Sequence, residues 1–116
     1  MLDTNLDVEK LKKLQFKIMK DVAASALIPL MRIGDQLGLF QKLSALGPIT
    51  SKKFAEEAKV DERYLREWLY ALSATDFVSY DGEKEEFSLS PEQKAVFADE
   101  EGPANMLGAY EVLAGQ

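Results

Sequence analysis

Cysteine and histidine are both absent from this chain of 116 residues. Their absence excludes disulfides, thiolate nucleophiles, Cys/His zinc sites and imidazole acid-base catalysis together. Glycine is present but badly spaced for cofactor work. The seven glycines fall at positions 34, 38, 47, 82, 102, 108 and 115, so no G-x-G occurs and neither a dinucleotide fingerprint nor a phosphate loop can form. Long apolar runs are missing as well. The longest, VAASALIPLM from Val22, falls well short of the roughly 18 residues that span a bilayer. The N-terminus, MLDTNLDVEKLKKLQ, is charged and lacks the apolar centre of a signal peptide. A soluble, cytoplasmic protein with no membrane contact is the expectation.

What is present fits one ordinary domain: 47% hydrophobic and 29% charged residues, enough for a single core and too few for a second. The charge balance is acidic, −6 in all, with an isoelectric point near 4.7. A field of that sign repels polyphosphates and gives no long-range attraction to nucleic acid or anionic membranes.

Leu11, Leu14, Ile18, Val22, Ala26, Leu30, Ile33, Leu37 and Phe40 recur at steps of three and four, the period of one helical face. The spacing predicts a helical region over about Asp7 to Leu39. Pro29 lacks the N–H and crowds the preceding turn, so the region kinks or divides near Leu27 to Pro29. One bent helix and two helices are equally compatible with it. The first half is amphipathic and basic, with Lys10, Lys12, Lys13, Lys17 and Lys20, whereas Val22 to Met31 is apolar on nearly every side. A helix without a polar side has to be covered all round. Either it is the central helix of a monomer core, or Ile18, Val22, Ala26, Leu27, Leu30 and Met31 form a dimer interface; the second reading is the expectation.

Leu46 to Thr50, LGPIT, reads as a turn, after which Thr50 or Ser51 caps a helix carrying Phe54, Ala55 and Ala58. The stretch AEEAKVDERYLREWL then ends that helix at Lys59-Val60 and opens a second at Asp61, with Leu65, Trp68, Leu69 and Leu72 as its buried stripe. This is a helix-turn-helix. Runs from Phe77 to Tyr80 and from Glu86 to Leu89, joined through Asp81-Gly82, predict a hairpin. The fold class is therefore mainly α: a winged helix-turn-helix with long N-terminal helices and a small β-hairpin wing. Ser90, Pro91 and Gln93 spell a helix start. Pro103 predicts another, over about Ala104 to Leu113. The expected organisation is an N-terminal helical dimerisation segment (1–40), the winged helix-turn-helix (41–98) and a C-terminal helix (99–116), all in one compact domain.

Arg63 and Arg66 on the second helix raise the question of DNA. Residues 49–90 hold six basic side chains against ten acidic ones, a net of −4, and the wing loop DGEKEE sets four acids against one lysine. Against phosphates that wing is repulsive. Glu62 and Glu67 interleave with the arginines at the spacing of i,i+4 pairs on a solvated face. Nucleic acid is thus an unfavoured partner, and a DNA-binding regulator using Arg63 and Arg66 is the alternative reading. The acidic clusters Glu83/Glu85/Glu86 and Asp99/Glu100/Glu101 lack the alternating ligand spacing of a calcium loop and read as solvated loops. Tyr64, Trp68 and Tyr70 could stack on a ligand, but Trp68 neighbours the leucine stripe and reads as core. No catalytic, metal-binding or cofactor-binding residue is expected in this chain.

The blocks IGDQLGLF, ERYLREWLYAL and FSLSPEQKAVFADEEGPANMLGAY resemble, in order and spacing, the N-terminal winged-helix domain that precedes the catalytic domain in a group of class I S-adenosylmethionine-dependent methyltransferases. The resemblance runs from about Met19 to Gln116. It implies a domain used for homodimerisation and for covering the substrate site of a catalytic domain in cis, inactive alone, with S-adenosylmethionine the cofactor of the full-length transferase. The acidic-x-Gly-x-Gly-x-Gly loop of such enzymes is absent here, so no cofactor residue carries over. The chain is then either a piece of a longer protein or a naturally short relative, and its stop in a helical, partly apolar segment, NMLGAYEVLAGQ, makes the first the expectation. A bare interaction module with no enzyme attached is a third reading.

Overall fold

The computed structural model describes residues 5–107. Asp7 caps the first helix, its carboxylate accepting from the backbone N–H of Glu9 and Lys10, and α1 runs Val8–Ser25. The helical region divides at Ala26, and α2 spans Leu27–Gln36. Pro29 thereby sits in the first turn of α2, where a missing N–H breaks no helical bond. The sequence allowed a bent helix or two; the chain forms two. It also ends this region earlier than expected. Gly38 adopts φ 66°, a left-handed conformation that glycine takes at no steric cost, and a third helix, α3 (Leu39–Leu46), begins after it. Helix α3 spans the division placed at residue 40.

The expected turn at Leu46 to Thr50 is partly a strand. Ile49–Thr50 forms β1, pairing antiparallel with Phe87 and Glu86. Two residues are too few to show an alternation, which is why the sequence hid it. Thr50 then caps α4 (Ser51–Ala58) by accepting from Lys53 N–H. Lys59 takes the left-handed conformation at φ 59°, and Asp61 caps α5 (Glu62–Ala74) by accepting from Tyr64 N–H. These are the helix-turn-helix helices. The wing strands are β2 (Ser79–Asp81) and β3 (Glu86–Ser88), displaced slightly from the expected bounds, and the sheet order is β1-β3-β2. Ser90 and Gln93 close a reciprocal capping box at the start of α6 (Pro91–Gln93), which passes into a π-helical segment, Lys94–Ala98.

The helix expected from Ala104 does not start there. Pro103 and Ala104 lie in a turn, and the Asn105 side chain accepts from Leu107 N–H, so helix begins only at the end of the described stretch. Asn105 is a better cap than the residues before Pro103. The rest of the expected helix, to Leu113, lies outside the described residues.

One core joins these elements. Phe40, Leu43, Phe54, Leu69, Leu72, Val78 and Phe87 are almost wholly inaccessible, and the expected stripe Leu65, Trp68, Leu69 and Leu72 is buried throughout. Phe40 stands at the centre, its ring edge-to-face with Trp68 at 5.1 Å and stacked on Phe97 at 5.2 Å. None of the described side chains of α1 belongs to it. The radius of gyration is 17.0 Å and the long axis 55 Å, against about 13 Å for a compact domain of this length. The excess reflects α1 projecting from the body.

Candidate functional site

Two surfaces carry the functional questions: the outer face of the helix-turn-helix, and the apolar side chains left uncovered by α1 and α2.

On the first, the arginines are already matched. Arg63 lies 3.8 Å from Glu67 and Arg66 lies 3.5 Å from Glu62, both i,i+4 pairs along α5. The spacing in the sequence predicted this pairing. Glu62 also accepts from Ser51 Oγ at 2.9 Å, fastening the start of α4 to the start of α5. Exposed pairs of this kind contribute about 0.3–0.5 kcal/mol each. Their consequence here is electrostatic: each arginine of α5 has an acid beside it. The wing loop is folded on itself, Asp81 Oδ1 accepting from the N–H groups of Glu83 and Lys84 at 3.0 and 3.3 Å. At the last rung of the wing Asp81 faces Glu86, like charges on opposed strands. Tyr70 of α5 packs edge-on against Tyr80 and Phe87 at 5.7 and 5.5 Å, seating the wing on α5. A hydrogen bond with Tyr70 is the main reason the Tyr80 hydroxyl is held above the usual tyrosine value of 10.0; burial and the Tyr70, Glu85 and Asp81 charges add to it. Of the three aromatics considered as stacking groups, Trp68 is core while Tyr64 and Tyr70 are exposed.

The second surface is apolar. Along α1, Leu14, Phe16, Ile18, Met19 and Val22 are each more than half exposed, at 52–70%. Of the six expected interface residues, Ile18, Val22 and Ala26 are exposed, Leu30 is half-buried, and Leu27 and Met31 lie in the core at 5% and 0%. The three-and-four stripe is therefore not the core face of the helical region. Its members Leu14, Ile18, Val22, Ala26, Ile33 and Leu37 are exposed, while Leu27, Met31 and Gly34 turn inward. Periodicity shows that a stripe exists, not what covers it.

Two grooves adjoin this stripe. One, of about 490 Å³, runs between α2 and α5 and is lined by Leu30, Ile33, Leu37, Tyr64, Trp68 and Ala71, among others, with Asp61 and Glu67 at its edge. The other, of about 810 Å³, lies between α1 and the end of α5, where Phe16, Met19 and Lys20 face Ala71, Ala74 and Phe77. Leu30 and Ala71 line both, so the two form one trough along α5. Neither groove gathers a catalytic constellation. Among the described residues no three side chains of metal-ligating type come together, and no helix is long and apolar enough to cross a membrane.

Comparison with solved structures finds the same fold in LepI in complex with SAM, at TM-score 0.62 and 18% identity over 77% of this chain and 25% of that one. A structure described as a pericyclic reaction enzyme matches at TM-score 0.61 and 19% identity, over 75% and 24%. A LepI variant in complex with SAH and a substrate analogue matches at 0.61 and 20%, over 76% and 24%. The chain spans about a quarter of the length of these structures. No curated protein matches the sequence. Residues 23–98, the span from the end of α1 through the π-helical segment, match the family described as Rv2258c-like winged HTH domain, and the chain belongs to that family.

Proposed function

We propose that this chain is the N-terminal dimerisation and substrate-cover domain of a cytoplasmic S-adenosylmethionine-dependent methyltransferase, with no catalytic or cofactor-binding group of its own. The observation that carries the reading is α1, whose apolar side chains stand more than half exposed. Leaving a Leu- or Ile-sized side chain in water forgoes about 1.5–3 kcal/mol relative to burying it, and a row of them on a projecting helix marks a surface made for a partner. The family supplies the fold, and structures of the same fold are described with SAM or SAH bound, which supports a parent that uses that cofactor in another domain.

In this reading residues 1–40 contribute the contact between copies, residues 41–98 the winged body, and residues 99–116 the passage toward the catalytic domain. The helix-turn-helix serves packing: its arginines are matched by Glu62 and Glu67, and its wing is acidic. A DNA-binding regulator remains the competing reading, favoured by the geometry of α4 and α5 alone.

Sedimentation velocity separates them, run on the chain alone, with a generic DNA duplex at low salt, and with S-adenosylmethionine titrated calorimetrically in parallel. A dimer that ignores the duplex and takes up no cofactor is expected. Comigration with DNA that is lost in Arg66→Ala would replace this reading with the regulator, and a monomer at micromolar concentration would remove dimerisation from it.

A further inference from the structure

We propose a small-molecule site in the smaller groove: the space between α2 and α5 takes an apolar monocation, such as a quaternary or protonated amine on a hydrocarbon framework. Its body lies against Leu30, Ile33, Leu37 and Trp68, and its charged head beside Tyr64, between Asp61 and Glu67. The site does not depend on the methyltransferase reading, because α2 and the helix-turn-helix supply every residue of it.

The groove exists before any ligand arrives. Trp68 Nε1 donates to the Leu30 carbonyl at 2.8 Å, fixing the two walls to each other. The volume between them, about 490 Å³, falls within the roughly 300–1,000 Å³ of small-molecule sites. Its upper wall is bare hydrocarbon: Ile33 and Leu37 are 45% and 47% exposed, so an apolar body laid on them removes their surface and its own from water.

The sign of the ligand follows from the rim. Asp61 and Glu67 line the groove, and no lysine or arginine does. Asp61 Oδ1 accepts from the Tyr64 N–H, a neutral donor that leaves the carboxylate its charge. Glu67 has Arg63 at 3.8 Å, longer than a hydrogen bond, and with that guanidinium counted the rim still holds one negative charge in excess. The larger groove sets Lys20 against Asp76 and has no such excess. A cationic head therefore selects the smaller groove, and an anion of the same shape is rejected from it.

Tyr64 places the head. It stands three residues after Asp61 and three before Glu67, so the three form one slanting row about 9 Å long on the helix. Its ring is 72% exposed, and an aromatic face attracts a cation brought over it.

Trp68 is the single tryptophan of the chain, so the site carries its own reporter. Tetraphenylphosphonium and tetraphenylborate share one shape and differ in the sign of the charge; each is titrated into the chain by calorimetry and by Trp68 fluorescence. The expected result is saturable, single-site binding of the phosphonium that alters the Trp68 emission and is about tenfold tighter than that of the borate at low salt. The gap should narrow as salt is added. Asp61→Asn combined with Glu67→Gln removes both charges while asparagine keeps the helix cap, and should erase most of that preference. Tyr64→Ala should weaken the phosphonium more than the borate. Equal affinity for the two ions, a preference that survives the double variant, or no binding overturns the site, and so does phosphonium binding that leaves the Trp68 emission unchanged. Binding that appears only on dilution from oligomer to monomer overturns it too, and gives the groove to a second copy of the chain.

Discussion

The indole N–H of Trp68 donates to the backbone carbonyl of Leu30 across 2.8 Å, tying the second helix of the helix-turn-helix to α2. The same edge of the ring lies against a glycine one turn further along α2. A Cβ on Gly34 would stand 2.6 Å from Trp68 Cζ2 and 2.8 Å from Phe40 Cε2, both in the packed core. α2 can therefore approach α5 this closely only where residue 34 has no side chain, and the trough on the outer side of this contact inherits its shape from it.

Gly34→Ala should accordingly destabilise the chain even though alanine is the better helix former. Overpacking of a filled core costs about 1–3 kcal/mol, more than the roughly 1 kcal/mol gained in helix propensity. Trp68→Phe should cost a comparable amount by leaving the Leu30 carbonyl without its indole donor. Because the methyl added at position 34 would meet the indole, the double variant should lose less than the sum of the two. Urea denaturation followed by far-UV circular dichroism measures all three; strict additivity would mean that residue 34 and Trp68 are not in contact.

Gln93 offers a second test of how the wing is fixed. Its Oε1 accepts from Ser90 N–H at 2.8 Å and from Ser79 Oγ at 2.9 Å, and its Nε2 donates to the Asp76 carbonyl at 3.0 Å. One side chain thus joins the α5–β2 turn, the first wing strand and the start of α6. Ser90→Ala removes one cap bond, worth about 1 kcal/mol. Gln93→Ala removes three bonds of about 1 kcal/mol each, and should lower the denaturation midpoint by clearly more than Ser90→Ala. Equal midpoints would show that the bridge to Ser79 and Asp76 contributes nothing.

Much of this was legible beforehand because it is local. Caps at Thr50, Asp61 and Ser90, the stripe on α5, the i,i+4 pairs and the Asp81-Gly82 hairpin each depend on residues within about four positions of one another. That the first helical region kinks or divides near Pro29 was legible for the same reason, but whether it bends or divides was not. What escaped is what depends on distant partners. Strand β1 exists only because Phe87 and Glu86 come alongside it. Leu27 and Met31 enter the core while Ile33 and Leu37 stay outside, and this depends on which side of α2 the Trp68 ring occupies. Periodicity alone carries no such information. The grooves beside that stripe, built from α1, α2 and α5 together, had no signal in any single segment.

Tyr80 gives a pH dependence with a definite sign. The hydrogen bond with Tyr70 foremost, then burial and nearby negative charge, raise its pKa above 10.0 in the folded chain. The folded state thus holds the phenolic proton more tightly than the unfolded state does. The resulting stabilisation is fully present below the unfolded value near pH 10 and is lost as the pH rises through the folded value. Absorbance titration at alkaline pH should show a tyrosine step displaced upward in the native chain relative to the unfolded chain, and Tyr70→Phe should bring it back toward the ordinary range. A native titration with no step displaced upward from that of the unfolded chain would contradict the Tyr70–Tyr80 contact.

The division of the N-terminal stripe between core and surface makes the sharpest prediction, because neighbouring apolar residues should respond in opposite ways. Ile18 is 52% and Val22 64% exposed, whereas Leu27 is 5%. A glutamate at Leu27 would place an unpaired charge in the core, which costs about 3–5 kcal/mol and should unfold much of the population whatever the oligomeric state. A glutamate at Ile18 or Val22 meets water in the single copy, where surface substitutions stay within about 0.5 kcal/mol, and would meet an apolar partner surface only in the proposed dimer. Ile18→Glu and Val22→Glu should therefore sediment as folded monomers, and their melting temperature should no longer rise with protein concentration as that of a dimer does. Leu27→Glu should fail in thermal melts at every concentration. If instead Val22→Glu stayed dimeric with a concentration-dependent melt, the outer stripe of α1 would not be the surface that joins the copies.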